Sequence, residues 1–284
     1  MANILVEILK LVRFEHAIML AFAVLIAETV VLGSFPALST VLLLSLLVPV
    51  LSEMGAFALN DYLDVESDRL NKKTDRPLVS GTISPKFALW IAIICTILSI
   101  VFAYPINMSV FVIAIIFALL SIAYNARLKD LPLVGNIYIG LSMAIPFIFG
   151  NYVVSPVLSP LALSLAFLAF LAGVAREIIK SAQDMAGDKE ARKSTTLPLV
   201  IGEKPAVNLA IFLYFVFVAS CFLPSYFGLK FSFTSSLFVI IGALSIIYVC
   251  YRLFISLDYR SARKLSLLAF GLGMSGFFLA ALGF

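Results

Sequence analysis

Two stretches of the 284-residue chain carry acidic residues at a spacing that suits chemistry. In the first, Asn60-Asp61-Tyr62-Leu63-Asp64-Val65-Glu66-Ser67-Asp68, polar side chains recur at positions 60, 64 and 68 and Asp61 lies one helical step aside. On a helix their oxygens share one broad face. In the second, Lys180, Asp184 and Asp188 repeat the four-residue step. Like charges so placed repel, and a bound cation relieves the repulsion. Several carboxylate oxygens with no His or Cys nearby form a hard donor set, which suits Mg²⁺ rather than zinc. Mg²⁺ held by a few carboxylates keeps positions open for phosphate oxygens, so two facing clusters can hold a diphosphate between them. Arg76, Lys72, Lys73, Arg127, Lys129, Lys180, Arg192 and Lys193 lie in the same charged stretches and supply countercharge for phosphate.

The elements that must position these residues are membrane helices. The chain is 62% apolar and only 13% charged, with a mean hydropathy of +1.11. That composition excludes an ordinary soluble enzyme and a disordered chain. Apolar runs predict an all-α integral membrane bundle of nine transmembrane helices, at about Phe14–Gly33, Leu38–Leu59, Phe87–Tyr104, Ser109–Ala126, Leu133–Val154, Leu161–Ile179, Ala206–Phe227, Phe233–Phe254 and Leu265–Phe284. The first run continues through Ala21-Phe22-Ala23 to Leu32 and reads as an uncleaved helix. Residues 1–284 read as one membrane-embedded domain, with no room for a separate soluble one.

Charged and nearly uncharged linkers alternate, and of the basic residues only Lys230 falls on the uncharged side. The positive-inside rule then puts the N-terminus and both Asp-rich loops in the cytoplasm and the C-terminus outside the cell membrane. A formal net charge of +4 without a dense basic run argues against a nucleic-acid partner, and no feature calls for an obligate protein partner. Cys95, Cys221 and Cys250 stand alone in apolar runs and read as small buried hydrophobes. The acidic clusters and the strings PLVSG and PLVIG keep nearly the same offset: Asp64 and Asp184 lie 120 positions apart, Pro77 and Pro198 lie 121 apart. This predicts two four-helix repeats plus one helix, with the two clusters in equivalent places.

NDYLDVESDRLNKKTDRPLVSG resembles the first signature, NDxxDxxxD followed by RP, of the UbiA-type intramembrane prenyltransferases. REIIKSAQDMAGDKEARKSTTLP is similar to the second, REIxKDxxDxxGD followed by TLP, and Tyr124-Asn125-Ala126-Arg127-Leu128-Lys129 with Pro132 and Gly135-Asn136 resembles the family's Tyr/Lys loop. Ser181 departs from the pattern, standing where the family has the first Asp of its second motif. The resemblance implies that Asn60, Asp64, Asp68, Asp184 and Asp188, with Asp61 beside them, hold Mg²⁺ and the diphosphate of a prenyl donor. Arg76, Arg127 and Lys129 then contact phosphate, with Lys180 and Lys193 beside them.

The chemistry so implied is ionisation of an isoprenyl diphosphate to an allylic cation, in a membrane-embedded cavity that excludes water. Asn60, Asp64 and Asp184 are the expected catalytic residues, and Tyr124 and Asn125 face the cation through a ring and a carbonyl. Arg13, His16 and Glu53 are candidates for the lipophilic acceptor; Glu53 lies seven residues before Asn60, two turns deeper on the same face. The REIIK string and the Tyr/Lys loop are most like the archaeal branch that transfers geranylgeranyl to geranylgeranylglyceryl phosphate. Arg13-Phe14-Glu15-His16 instead favours an aromatic acceptor such as 4-hydroxybenzoate. Outside enzymes, internal repeats and intramembrane acids also fit a secondary transporter, although transporters place their sites near the midplane.

Overall fold

The structure, a computed structural model, describes residues 4–70, 73–191 and 195–284, with residues 186–191 as backbone only. It is all helical among the described residues: α1 (Ile4–Leu11), α2 (Phe14–Leu32), α3 (Thr40–Leu70), α4 (Pro85–Ala103), α5 (Met108–Ala126), α6 (Val134–Val154), α7 (Pro160–Ala191), α8 (Leu197–Ile201), α9 (Glu203–Ser220), α10 (Leu223–Tyr226), α11 (Phe233–Ser256) and α12 (Tyr259–Ala281), with one 3₁₀ turn at Leu128–Asp130. Among the described residues, nine segments are long and apolar enough to cross a membrane: α2 to α6, α7 as far as Met185, α9 continued through α10, α11 and α12. The protein is a multi-pass membrane protein. Trp90, Ile94, Ile97 and Val101 recur along α4 and are all more than half exposed, a stripe that only lipid can cover.

The nine spans agree with the hydropathy reading, and the differences lie where charge begins. The second and sixth spans do not stop at Leu59 and Ile179 but continue as helix to Leu70 and Ala191, carrying both acidic stretches out of the apolar layer on rigid rods. The last helix starts at Tyr259 rather than Leu265. Asp258 caps it, its carboxylate accepting from the Ser261 N–H at 3.1 Å. That bond is the main reason its carboxyl lies below the usual carboxylate range. The sequence reading has no counterpart of α1, which is joined to α2 by Arg13 in the left-handed region (φ 45°).

Chain order becomes a closed ring by packing. α3 packs on α2 and α4, α6 on α2 and α7, α11 on α12, and α12 returns to α2. Lipid offers little hydrophobic gain for helix association, so close approach at small residues carries it. A Cβ on Gly150 would stand 2.7 Å from the Val24 carbonyl oxygen and 2.8 Å from the Ala27 Cβ, so α6 can press on α2 only with glycine there. Gly150→Leu is therefore expected to destabilise the detergent-solubilised protein by ~1–3 kcal/mol, the usual cost of overpacking. Gly271→Ala, where a Cβ meets nothing within 4 Å, should leave the thermal melt unmoved; equal melts for both variants would refute the packing argument.

Candidate active site

The exit of α3 from the apolar layer presents two faces. On one, the Asn60 Nδ2 donates to Asp64 Oδ2 at 3.0 Å and to Asn125 Oδ1 at 2.9 Å. Asn125 is buried and donates in turn to the Ser121 carbonyl at 3.1 Å, so two amides tie α3 to the end of α5. Lys129, in the 3₁₀ turn after α5, donates to Asp64 Oδ1 at 2.6 Å. The turn can lie against α6 because position 135 is glycine: a Cβ there would stand 3.2 Å from the Lys129 Cα.

On the other face, Asp61 and Asp68, 3% and 1% exposed, converge on one cation. Arg76 Nη1 donates to Asp61 Oδ1 at 2.8 Å and also to Asp68 Oδ2. Lys73 Nζ stands 3.2 Å from Asp68 Oδ1, close but without hydrogen-bond geometry. Arg13 lies 3.6 Å from Asp61, its guanidinium 4.3 Å above the Phe57 ring. Burial pulls the Arg13 pKa down from its usual value, and Asp61 opposes that shift. The loop that carries Arg76 is anchored by apolar packing as well: Leu78 and Ile83 are buried with Leu11, Ala58 and Ala88.

Between α3 and α7 lies a cavity. Asn60 and Asp64 form one wall, and Glu177, Lys180, Ser181 and Asp184 form the other; Lys73, Arg76 and Lys129 reach in from the loops. Lys180 is held by Glu177 at 2.9 Å, and Ser181 Oγ accepts from Asn136 Nδ2 at 3.5 Å. Outward, the cavity meets a wider vestibule that Lys10, Arg13, Asp184 and Arg263 border. Toward the membrane, one turn below Asn60 and Asn125, a first chamber is lined by Glu53, Ala56, Ser121 and Tyr138 among largely apolar residues. Tyr124 stacks on Tyr138 with ring centroids 4.3 Å apart at the boundary. A second, almost wholly apolar chamber lies between α2, α6, α7 and α12 and shares Leu20 and Pro146 with the first.

The expected site residues thus separate into groups. Asn60, Asp64, Asp184, Tyr124, Lys129, Lys180 and Arg76 come together around one cavity. Asp61 and Asp68 point away from it, into the Arg76 clamp. Arg127 is exposed at the C-cap of α5 and does not line the cavity. Asp188 and Lys193, like Lys72 and Arg192, lie outside the residues whose side chains are described. Arg13, His16 and Glu53 do not form one site: Arg13 is engaged by Asp61, Glu53 lines the first chamber, and His16 packs edge-on against Phe57 at 5.6 Å. Sequence reasoning missed Glu177, Thr196 and Tyr138 as lining residues. The position of Glu177 three residues before Lys180 was the available signal for the first.

Among the described residues no three His, Cys, Asp or Glu side chains gather into a metal cluster. What faces the cavity is nonetheless an all-oxygen set from two opposed helices, Asn60 and Asp64 against Ser181 and Asp184. Oxygen donors without nitrogen or sulfur ligands fit Mg²⁺, which fills its remaining positions with water and phosphate.

The model of the UbiA prenyltransferase family matches residues 17–282. The digeranylgeranylglyceryl phosphate synthase of Archaeoglobus fulgidus is 36% identical over 278 residues, covering 95% of this chain and 94% of that protein. A solved structure described as "Structural and mechanistic insights into the biosynthesis of Digeranylgeranylglyceryl phosphate synthase in membranes" superposes with a TM-score of 0.76 at 27% identity, over 99% of both chains. A UbiA homolog from Archaeoglobus fulgidus bound to GPP and Mg²⁺ shares the fold, with a TM-score of 0.66 at 19% identity over 95% of this chain and 99% of that one.

Removing the shared cation of the clamp leaves two buried carboxylates without their main partner, a change that costs ~3–5 kcal/mol. Arg76→Ala is expected to melt well below the parent protein in detergent with no ligand present, and Arg76→Lys to recover part of the loss. A ligand-free melt that Arg76→Ala leaves in place would show that the clamp holds nothing.

Proposed function

The chain belongs to the UbiA prenyltransferase family, and from that membership we propose that it transfers a geranylgeranyl group from geranylgeranyl diphosphate to the free hydroxyl of geranylgeranylglyceryl phosphate. The name of the Archaeoglobus fulgidus relative, 36% identical along nearly the whole chain, supports this acceptor. The single observation that carries the site is the cavity in which Asn60 and Asp64 face Asp184 across a ring of Lys and Arg side chains, directly above an apolar chamber.

Mg²⁺ would be held by Asn60, Asp64 and Asp184, with Asp188 as a further candidate, and when bound it supplies positive charge against the departing diphosphate. Lys129 and Lys180 line the same space and reinforce that charge; Lys73 and Arg76 close it from the loop side. The C1–O bond of the donor breaks with its electron pair going to the diphosphate oxygen, and the acceptor oxygen bonds C1 and passes its proton to the released diphosphate. The allylic end of the donor enters the first chamber below Asn60, where Tyr138 lines the wall with Tyr124 stacked on it at the boundary, and Phe117, Ile145 and Phe149 exclude water. The excess of Lys and Arg on the face that carries the cavity supports a cytoplasmic site, with the C-terminus on the outer side, and residues 1–284 act as one catalytic domain.

The purified protein in detergent, given geranylgeranyl diphosphate, Mg²⁺ and either geranylgeranylglyceryl phosphate or 4-hydroxybenzoate, should yield only the doubly geranylgeranylated glyceryl phosphate by mass spectrometry. EDTA should abolish turnover and added Mg²⁺ restore it. Asp64→Ala and Asp184→Ala should each lower kcat by 100-fold or more, the scale set by losing one electrostatic group from a transition state, with the thermal melt retained in Asp184→Ala and lowered in Asp64→Ala, which removes the buried carboxylate 2.6 Å from Lys129. Product on 4-hydroxybenzoate alone would overturn the acceptor, and full activity in both Asp variants would overturn the site.

A further inference from the structure

The second chamber is almost wholly apolar, yet each wall carries a polar residue just above it on the charged side. On α7, Ala172 lines the chamber and Arg176 follows one turn later; on α9, Tyr214 precedes Phe217 by one turn. On α2, His16 stands one turn before Met19 and Leu20, and on α12, Arg263 stands two turns before Phe270. All four residues have a buried side-chain atom without a hydrogen-bond partner among the described residues: His16 Nδ1, Arg176 Nε, Tyr214 Oη and Arg263 Nε. Buried polar atoms are normally satisfied; Tyr214 has the Ser266 hydroxyl near it and His16 has Glu15, so the two guanidinium Nε atoms mark the place for a polar group that the protein itself does not supply. The charges present give its sign. Arg176 and Arg263 lie within electrostatic range of one another, and the nearby carboxylates are already engaged or outnumbered: Glu177 holds Lys180, and Glu15 lies 3.7 Å from His16. Among the described residues neither guanidinium forms an ion pair; Arg263 spends one Nη on the neutral Gln183 amide at 2.9 Å. Two like charges at a membrane boundary without carboxylate partners are costly, and an anion between them removes that cost.

Resting on the acceptor proposed above, we infer that Arg176 and Arg263 bind the phosphate monoester of the acceptor, with Tyr214 and His16 beside them and the acceptor's chain in the second chamber. Guanidinium forks suit a phosphate directly, without a metal between. The donor diphosphate and the acceptor phosphate then occupy separate sites, one among carboxylates on α3 and α7 and the other among cations on α7 and α12. The wall shared through Leu20 and Pro146 is where the two chains come side by side. Arg263 also borders the vestibule, which gives a charged headgroup a route inward.

Steady-state kinetics on the full chain test this, with donor and acceptor varied separately. Arg176→Gln and Arg263→Gln should each raise KM for geranylgeranylglyceryl phosphate at least tenfold while KM for geranylgeranyl diphosphate stays within twofold; Arg176→Lys should recover part of the loss. For the parent protein, the dephosphorylated acceptor geranylgeranylglycerol should show a similarly raised KM, and the Gln variants should no longer distinguish the two acceptors. A raised KM for the donor, or an unchanged KM for the acceptor, in folded variants would overturn the assignment. Should the variants fail to fold, equal KM values of the parent protein for the phosphorylated and dephosphorylated acceptors would overturn it. If the parent protein does not use geranylgeranylglyceryl phosphate at all, it is the acceptor reading that falls.

Discussion

Negative charge on α3, at the edge of a low-dielectric bundle, must be matched by positive charge close at hand. Asp61, Asp64 and Asp68 are all buried, and an isolated carboxylate in such a place costs several kcal/mol. The cations that answer them come from three separate pieces of chain: Arg13 from the turn before α2, Lys73 and Arg76 from the loop after α3, and Lys129 from the turn after α5. Each ion pair fixes a connecting segment as well as a charge. The cap over the bundle's charged end is assembled around α3 in this way, with the apolar contacts of Leu78 and Ile83 beneath it.

Because α3 and α7 continue unbroken from the apolar layer into the charged one, depth and chemistry are read off a single helical register. Ala56 lines the apolar chamber, Asn60 bridges to Asn125, and Asp64 faces the cavity. Eight residues of helix separate the first from the last, a rise of ~12 Å. On α7 the same sequence runs from Ala172 through Arg176 to Lys180 and Asp184. A substrate with an apolar chain and an anionic head meets matched surroundings along its length, held by helix rather than by loop.

The spans were legible because about twenty apolar residues in a row admit few other readings, and the cavity was legible because Asn60, Asp64 and Asp184 follow helical spacing. What stayed hidden depends on where cations fall in space. Nothing in the local sequence says that Arg76 takes Asp61 and Asp68 while Lys129 takes Asp64, so the four residues of the first cluster looked like one donor set and are in fact two. Arg13 read as an acceptor contact, and its place beside Asp61 and Phe57 was hidden for the same reason. Arg176 and Arg263 sit on helices distant in the chain, and only the ring closure of α12 against α2 and α7 brings them near each other.

The two halves of the bundle have taken their charge in different directions. In the first half two of the three buried aspartates are consumed by the clamp, and Asp64 alone, bonded to Asn60 and Lys129, turns to the cavity. In the second half Ser181 stands where a carboxylate would complete the pattern, and it accepts a hydrogen bond from Asn136 instead. A carboxylate at 181 would add a negative charge one turn from Asp184 and beside the Lys180–Glu177 pair. Serine keeps an oxygen there without the charge. The described cavity therefore holds few uncompensated carboxylates against several cations, a balance suited to a guest that brings its own negative charge. Specificity for that guest then rests less on the number of acidic residues, which the motifs advertise, than on how many of them the protein's own bases have already taken.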